Sequence, residues 1–261
     1  MAAAKRRATI AIGNSHCSLV LWKANGSVDD HRQLEITPAL KLPLRRGEAA
    51  LICSVVSPKT AKMAALLKKK GSTALLFRKD VVPEIEVVPE PPERVGSDRI
   101  ASALGALSLD PRIPWVIADI GTAVTCNAIT PGRGSKAPRF EGGLIAPGAA
   151  LSLRALAKGT AQLPELEDDF LGDGENGLIG TSTEAAIRGG VAIQQVAGLL
   201  AMIEGQRSIM GPGTRVALTG GGARFMKDAL NASPHRRFEI HYDPLLVHRG
   251  LYSVWSAAEE R

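Results

Sequence analysis

The sequence predicts an α/β protein made of two similar halves. Short β-rich apolar runs alternate with longer segments of helical periodicity, a pattern typical of α/β proteins. Two distant segments share one strand–turn–strand pattern, which indicates an internal duplication. The proportions of 45% hydrophobic and 22% charged residues are those of an ordinary globular protein, and 261 residues can bury a core without disulfides or metals.

The first half is predicted to contain four strands and two helices. Apolar β-rich runs indicate strands at residues 9–12, 18–22, 51–56 and 74–77. Helical periodicity indicates helices at residues 58–70 and 98–107. The first helix should end at Gly71, because the preceding lysines favour the negative end of the helix dipole and glycine accepts a left-handed backbone.

The second half is predicted to contain three strands and four helices. The strands are expected at residues 114–119, 124–129 and 215–219. The helices are expected at residues 149–158, 181–204, 223–231 and 244–258. The sequence Asp110-Pro111-Arg112 separates the two halves, so we expect one domain at residues 1–112 and a second at residues 113–261.

The internal repeat aligns residues 10–15 and the strand after them with residues 118–123 and their following strand. Each copy has an apolar strand, a tight glycine turn with a small polar residue, and a second strand. This is the pattern of a hairpin whose turn faces a ligand. In the alignment, Ala11 occupies the position of Asp119.

Charge and hydropathy narrow the classes of partner. Lys and Arg number 32 against 26 acidic residues, and the net charge of +6 suits nucleic acid, anionic membranes or anionic metabolites equally well. The basic clusters are dispersed and aromatic residues make up 4% of the chain, so nucleic acid is not an expected partner. The apolar stretch at 143–156 is interrupted before the ~20 residues that a membrane span needs, and no secretory signal is apparent. We expect a cytoplasmic protein that does not cross a membrane.

Familiar metal and nucleotide motifs are absent from the sequence. The three cysteines are widely separated, and the five histidines lack the spacing of a zinc site. The sequence contains no P-loop, no GxGxxG fingerprint and no GxSxG nucleophile elbow.

Both glycine turns of the repeat are candidate ligand sites. Residues 13–16, Gly-Asn-Ser-His, form a turn where backbone amides can approach an anion without obstruction from a Cβ. In the second copy, Asp119 and Thr122 offer carboxylate and hydroxyl oxygens to a cation or a phosphate. An ordinary hairpin turn remains the alternative explanation for each segment.

Two predicted helix starts carry polar side chains. Asp98, in Gly96-Ser97-Asp98-Arg99, is either the N-cap of its helix or a base that accepts a hydroxyl proton beside an arginine. Thr181 and Glu184 have the spacing of a capping box, which leaves the hydroxyl of Thr183 available to a substrate. The glycine-rich segments 142–148 and 219–223 each predict a turn between a strand and a helix, and the second turn offers a flat surface to a nucleotide.

Eight of these segments, taken in order, resemble the type III pantothenate kinases, some of which are named Bvg accessory factors. The motifs are GNS at 13–15, SVVSP at 54–58, GSDRI at 96–100, DIGTA at 119–123, GGLIAPG at 142–148, LPEL at 163–166, TEAAI at 183–187 and TGGGA at 219–223. The order of the motifs makes the resemblance specific. It implies the duplicated ribonuclease-H-like fold of the actin-like ATPases, with two domains and a cleft between them.

The resemblance also implies an activity. Members of the family transfer the γ-phosphate of ATP to the hydroxyl of pantothenate and form 4'-phosphopantothenate, in the first step of coenzyme A biosynthesis. Mg²⁺, a monovalent cation such as K⁺ or NH₄⁺, and a homodimer are implied as well.

Site roles follow from the matching positions. Asp98 is the expected general base, and Asp119 is the expected ligand of the monovalent cation. Contacts with pantothenate are expected from Gly96, Ser97, Asp98, Arg99 and Thr183. Contacts with ATP are expected from Gly13, Asn14, Ser15, His16, Thr122, Gly220 and Gly221.

The chain departs from the family pattern at two places. The first phosphate motif of the family reads DxGN(S/T), and Ala11 stands at the position of its aspartate. A methyl group cannot organise Mg²⁺ or its waters, and losing a charged element of such a site commonly lowers turnover by about 100-fold or more. The aromatic residue that the family carries before GxDR is absent from residues 87–92.

Two alternatives to an active pantothenate kinase therefore stay open. One is a weak or inactive homologue that binds a ligand or regulates a partner, as the accessory-factor name implies. The other is a kinase of the same fold that acts on a different small alcohol.

Overall fold

The computed structural model describes residues 7–167 and 178–259, which form eleven strands and six α-helices. The strands are β1 (Arg7–Ile12), β2 (Cys17–Trp22), β3 (Val28–Gln33), β4 (Ala49–Ser54), β5 (Thr73–Leu76), β6 (Glu86–Val87), β7 (Trp115–Ile120), β8 (Ala123–Thr130), β9 (Arg139–Pro147), β10 (Arg215–Thr219) and β11 (Ile240–Tyr242). The helices are α1 (Ser57–Lys70), α2 (Ser97–Leu109), α3 (Ala149–Gly159), α4 (Thr183–Met210), α5 (Ala223–Ala232) and α6 (Leu246–Glu259).

All six predicted helices are present, but four strands were not predicted. β3 has the charged sequence Val-Asp-Asp-His-Arg-Gln because it lies exposed at the edge of its sheet. β6 and β11 are two and three residues long. The prediction of a turn at 142–148 was wrong, since 142–147 belong to β9 and only Gly148 lies between that strand and α3.

Contacts within the chain divide it into two compact units. Unit 1 comprises Met1–Arg112, Pro131–Phe140 and Leu245–Arg261, and unit 2 comprises Ile113–Thr130 and Glu141–Pro244. Both differ from the predicted domains, 1–112 and 113–261, because residues 131–140 and the C-terminal helix pack with unit 1. Sequence order does not reveal this return of the chain.

The sheet of unit 1 has the strand order β3-β2-β1-β4-β5. β1 runs antiparallel to β2 and parallel to β4, while β3 and β5 extend the sheet with antiparallel and parallel pairing, respectively. Apolar side chains of the strands and of α1 form the core, including Ile10, Leu19, Ile52, Met63 and Leu67. This packing fixes the β1–β2 hairpin, which carries the first predicted phosphate turn.

Helix α6 packs closely against α2 within unit 1. A Cβ on Gly250 would lie 1.8 Å from the backbone oxygen of Ala101, and a Cβ on Gly105 would lie 2.1 Å from the backbone oxygen of Leu246. Only glycine therefore allows this approach of the two helices. The contact carries His248 of α6 into the interior of unit 1, where it is 3% exposed.

The sheet of unit 2 has the strand order β11-β10-β7-β8-β9. β7 runs antiparallel to β8 and parallel to β10, which is parallel to β11. Read from the other edge, the order is β9-β8-β7-β10-β11. If the strands of each unit are counted in chain order, this is the same arrangement as β3-β2-β1-β4-β5 of unit 1. The recurrence confirms the predicted duplication of a ribonuclease-H-like fold. β9 also pairs with β6 through Arg139 and Phe140, which belong to unit 1.

Helix α4 is the most conspicuous apolar segment of unit 2. An 18-residue window of this helix has a mean hydropathy of 1.4. By length and composition, the helix is therefore long and apolar enough to cross a membrane. In unit 2 it packs Leu199 and Ile203 against Val116 and Leu218 of the sheet. Burial in the core of unit 2 accounts for part of this composition, since 39% of the window is buried.

Candidate functional site

The turn of the β1–β2 hairpin is held by a lysine from α1. Gly13 donates its backbone N–H to the carbonyl of His16 at 2.9 Å, which closes the turn. The Nζ of Lys59 donates to the carbonyl oxygens of Gly13, at 3.3 Å, and Asn14. Asn14, Ser15 and His16 are exposed. The turn thus combines accessible backbone with a nearby ammonium group, which suits an anion.

Beside this turn, Ala11 faces a buried polar network. Ala11 pairs with Ser18 across the hairpin, and Thr9, two residues earlier, lies on the same face of β1. The side chain of His248 bonds the Thr9 hydroxyl through Nδ1 at 2.9 Å and the Ser18 hydroxyl through Nε2 at 2.8 Å. Trp22 donates its indole N–H to the same Thr9 hydroxyl.

This network carries no charge at neutral pH. Burial, and to a smaller extent the neighbouring His31, lowers the pKa of His248 to about 3. A neutral imidazole and two hydroxyls do not replace the negative charge that a carboxylate at position 11 would supply. The departure at Ala11 is thus uncompensated by its neighbours in the network.

The Gly96–Arg99 motif forms the first turn of α2. Gly96 is the N-cap, so the prediction of Asp98 as a possible N-cap was wrong, because the helix already begins at Ser97. The Oδ1 of Asp98 accepts the backbone N–H of Arg99 at 2.9 Å. A Cβ on Gly96 would lie 2.5 Å from that oxygen, so only glycine at position 96 avoids a clash with the Asp98 carboxylate.

Arg99 is held in unit 1 by an aromatic ring. Its guanidinium lies 5.2 Å from the centre of the Phe140 ring. Burial lowers the pKa of this guanidinium, while the Asp98 carboxylate opposes the change. An arginine side chain has its pKa so far above neutrality that it stays charged. Asp98 and Arg99 therefore present adjacent charges of opposite sign at the positive end of α2.

A second arginine, absent from the sequence predictions, supports the segment before α2. Arg78 has a left-handed backbone, with φ of 66°. Its guanidinium donates to the carbonyl oxygens of Val95 and, at 2.9 Å, Pro92. These bonds join the end of the first sheet to the chain immediately before Gly96. Arg78 is thus placed to fix the start of α2.

Cys53 lies among the same charges. Burial raises the pKa of its thiol well above the usual value, and the Asp98 carboxylate raises it further, whereas Arg78 acts in the opposite direction. The thiol is therefore neutral, although it lies within electrostatic range of both charges.

In unit 2 the β7–β8 turn lies against two glycines. Gly148 donates its N–H to the carbonyl of Thr122 at 3.0 Å, and a Cβ on Gly148 would lie 2.2 Å from the carbonyl oxygen of Gly121. Gly220 has φ of +94°, and a Cβ there would lie 2.4 Å from Oδ1 of Asp119. The structure thus brings Asp119, Thr122 and Gly220 together, with Gly221 exposed next to them.

Thr183 is the first residue of α4 and is exposed. The predicted capping box was wrong, because Ser182 caps the helix and accepts the N–H of Ala185 at 3.1 Å. Three successive hydroxyl residues at 181–183 made the cap ambiguous in the sequence. The Thr183 side chain still lies at the positive end of a long helix, as predicted.

The side chains of the described residues offer few ligands for a metal ion. Over residues 7–167 and 178–259, no three His, Cys, Asp or Glu side chains are grouped to hold a metal ion. Asp119 offers one carboxylate, and Gly220 packs so closely against it that a Cβ there would lie 2.4 Å from Oδ1. A carboxylate suits a hard cation that takes its other oxygens elsewhere. Ala11 offers no such oxygen.

Similar sequences are type III pantothenate kinases. The family model described by that name matches residues 9–206. The type III pantothenate kinase of Caulobacter vibrioides is 31% identical over 218 residues, covering 82% of this chain and 77% of the relative. That of Thermosipho melanesiensis is 28% identical over 257 residues, covering 94% of this chain and 96% of the relative.

Similar solved structures share the fold. A Baf-family protein from Campylobacter jejuni matches with a TM-score of 0.58 and 19% identity, covering 97% of this chain and 100% of that one. The activator of 2-hydroxyisocaproyl-CoA dehydratase from Clostridium difficile, with bound ADPNP, matches with a TM-score of 0.50 and 13% identity, covering 98% and 96%. The family match to residues 9–206 and the 31% identity with the Caulobacter vibrioides enzyme establish that the chain belongs to the type III pantothenate kinase family.

Proposed function

We propose that this protein transfers the γ-phosphate of ATP to the hydroxyl of pantothenate, forming 4'-phosphopantothenate and ADP in the first step of coenzyme A biosynthesis. Family membership supports the reaction. The observation that carries the proposal within this chain is the pair of opposite charges, Asp98 and Arg99, at the start of α2. In phosphate transfer to an alcohol, a carboxylate can accept the hydroxyl proton and a fixed guanidinium can neutralise negative charge.

In the proposed reaction, Asp98 is the general base. The pantothenate hydroxyl loses its proton to Asp98 as its oxygen bonds to the γ-phosphorus, and the bond from that phosphorus to the bridging oxygen of ADP breaks. Arg99, with its position set by Phe140, attracts the negative charge of the substrates. Gly96, Ser97 and Thr183 are proposed as further contacts with pantothenate.

ATP is proposed to bind through both glycine turns. The accessible turn of Gly13, Asn14, Ser15 and His16, with the ammonium of Lys59 at its carbonyls, suits the phosphates. Thr122 offers a hydroxyl from the corresponding turn of unit 2. Gly220 and Gly221 offer a surface without side chains for the adenosine. The bound ADPNP of the Clostridium difficile activator lends this proposal fold-level support.

Two cations complete the proposal. Asp119 would hold the monovalent cation, K⁺ or NH₄⁺, through its carboxylate oxygens. Mg²⁺ would bind mainly to phosphate oxygens and water, because Ala11 lacks a carboxylate. Bound Mg²⁺ supplies neutralisation of phosphate charge during transfer.

Ala11 favours a second candidate function. With the charge of the missing aspartate uncompensated, the chain would bind ligands but turn over slowly or not at all, as a regulatory homologue would. The fold similarity to a Baf-family protein is compatible with either activity.

A coupled ADP-release assay tests the proposal. The assay contains ATP, Mg²⁺, K⁺ or NH₄⁺, and pantothenate. We expect slow turnover by the wild type and none by Asp98→Asn, while Asp228→Asn, an equal change at an exposed site on α5, keeps wild-type activity. Ala11→Asp should raise turnover by about 100-fold.

Other outcomes contradict specific parts of the proposal. Wild-type turnover by Asp98→Asn would exclude Asp98 as the base. Turnover by Ala11→Asp alone would favour the regulatory candidate. Turnover with other small alcohols but not with pantothenate would exclude pantothenate as the acceptor.

We also propose that the enzyme is a cytoplasmic homodimer. Cys17, Cys53 and Cys126 are all free thiols, which fits a reducing compartment. Exposed apolar side chains on β9 and α4, including Ile145 and Ile193, would suit a subunit interface. Sedimentation equilibrium at micromolar concentration should give twice the mass of the chain, and a single-chain mass would reject the dimer.

A further inference from the structure

Lys59 brings an unneutralised positive charge to the first glycine turn. Its Nζ donates to the carbonyl oxygens of Gly13 and Asn14. An ammonium group has three donor hydrogens, so one of them remains for another acceptor. None of the ion pairs within residues 7–167 and 178–259 includes Lys59, so no carboxylate in that part of the chain cancels its charge.

Helix stability does not explain this lysine. Lys59 is the third residue of α1, at the end where the helix dipole is positive and a cation is unfavourable. The first turn of α1 has no acidic residue, whereas the lysines at 68–70 lie in the last turn, where cations stabilise a helix. The charge of Lys59 therefore adds to the positive end of the dipole, and an anion outside the helix would balance both.

The turn also leaves backbone donors unused. The N–H groups of Asn14 and His16 donate to no group in the described part of the chain, and both residues are exposed. Burial raises the pKa of the Cys17 thiol to about 11, and the positive charge of Lys59 opposes this rise. The potential of Lys59 thus extends to the first residue after the turn. A phosphate at this turn would meet two free N–H groups and an ammonium.

The same hairpin lacks the carboxylate that would organise a divalent metal ion. Ala11, two residues before Gly13, stands at the aspartate position of the family motif, and the polar network beside it is uncharged. We propose that Lys59 neutralises the nucleotide phosphates in place of a metal held at position 11, so that this chain binds ADP and ATP without a divalent metal ion. Lys59 donates its remaining hydrogen to a phosphate oxygen. This inference rests on the proposed binding of ATP at this turn.

The two ways of neutralising phosphate differ in their dependence on the metal. An aspartate at position 11 repels phosphate unless a cation lies between them, so the affinity of such a site rises steeply with Mg²⁺. An ammonium attracts phosphate whether or not Mg²⁺ is present. A lysine that only held the turn in shape would change nucleotide affinity equally in both conditions. The ratio of the dissociation constants in EDTA and in Mg²⁺ therefore separates these explanations.

Isothermal titration calorimetry of the full chain with ADP, in EDTA and in Mg²⁺ at constant K⁺, measures this ratio. For the wild type we expect the two dissociation constants to agree within about threefold. Lys59→Gln keeps a neutral donor but should bind ADP at least about tenfold more weakly than the wild type in EDTA, with most of the loss recovered in Mg²⁺. Ala11→Asp should bind at least about tenfold more weakly in EDTA than in Mg²⁺. Lys62→Gln, the same change at an exposed position on α1, should bind as the wild type does.

Recovery of binding by Lys59→Gln in Mg²⁺ also shows that this variant is folded. A wild-type affinity that falls tenfold or more in EDTA would overturn the proposal but leave the proposed kinase reaction standing. Equal binding by Lys59→Gln and Lys62→Gln in EDTA would overturn it as well. Equal weakening of Lys59→Gln in both conditions would reduce Lys59 to a support for the turn and reject the role of its charge. Absence of wild-type ADP binding in both conditions would overturn the inference together with the proposed ATP site.

Discussion

Buried His248 should make unit 1 sensitive to acid. Its pKa falls from 6.5 to about 3 in the folded protein, because burial disfavours the imidazolium. The nearby His31, whose ring centre lies 6.3 Å away, also lowers the pKa of His248. The neutral form is therefore preferred in the folded state, and the unfolded state binds the extra proton. The contribution of neutral His248 to the stability of unit 1 is fully present above pH 6.5, and it decreases as the pH falls toward about 3.

The magnitude follows from the same values. Each pH unit below the unfolded pKa of 6.5 lowers the free energy of unfolding by about 1.4 kcal/mol, until the folded pKa is approached. Going from pH 7 to pH 5 should thus lower it by about 2 kcal/mol. That is a large fraction of the 5–15 kcal/mol that typically stabilises a domain.

Urea unfolding followed by tryptophan fluorescence measures this change. Trp22 reports directly, because it donates to the Thr9 hydroxyl that also bonds His248. In His248→Gln the loss between pH 7 and pH 5 should nearly disappear, whereas His235→Gln, at an exposed site, should keep it. If the wild type and His248→Gln lose equal stability over this interval, protonation of His248 is not the cause.

Three further predictions concern glycines and Arg78. Gly250→Ala should lower the free energy of unfolding by about 2 kcal/mol or more, since its Cβ would lie 1.8 Å from a backbone oxygen of α2. Gly205→Ala, whose Cβ on α4 is unobstructed, should raise the free energy of unfolding by up to about 1 kcal/mol. Urea titration measures both variants, and equal effects would contradict the packing argument. Gly220→Ala should reduce ADP release at least tenfold, because its Cβ would displace Asp119. Gly198→Ala on α4, with open space around its Cβ, should not. The coupled assay compares the two variants, and an active Gly220→Ala would exclude a strict need for this geometry. Arg78→Ala removes the hydrogen bonds to the carbonyl oxygens of Pro92 and Val95. We expect kcat/KM for pantothenate to fall about tenfold, with KM for ATP unchanged. Equal losses for both substrates would indicate general unfolding instead.

Local patterns in the sequence predicted the helices and the central strands. Their apolar periodicity, the lysines before Gly71 and the glycine turns all act over a few residues, so they are visible without the fold. The charged edge strand β3 has no apolar alternation because both of its faces are largely exposed. In β9, Gly143 suggested a turn, but its role is close packing, since a Cβ would lie 2.2 Å from the carbonyl oxygen of Cys126.

The candidate site divides in the same way. Residues 13–16 and 96–99 were found because each group is contiguous and rich in glycine or charge. Lys59, Arg78 and His248 were not found, because each acts on residues that are distant in sequence. A basic side chain on a helix or after a strand has no sequence feature that reveals such a partner. Only the folded chain shows it.

The return of α6 to unit 1 has a consequence for biosynthesis. Unit 2 emerges from the ribosome before Leu246–Glu259, so all of its residues are available for folding while unit 1 still lacks a helix. Until α6 is synthesised, Gly105 has no partner helix, and Thr9 and Ser18 have no imidazole to bond. The half of the protein that is made first is therefore the half completed last, and a nascent chain must keep its first sheet soluble until translation reaches the end of α6.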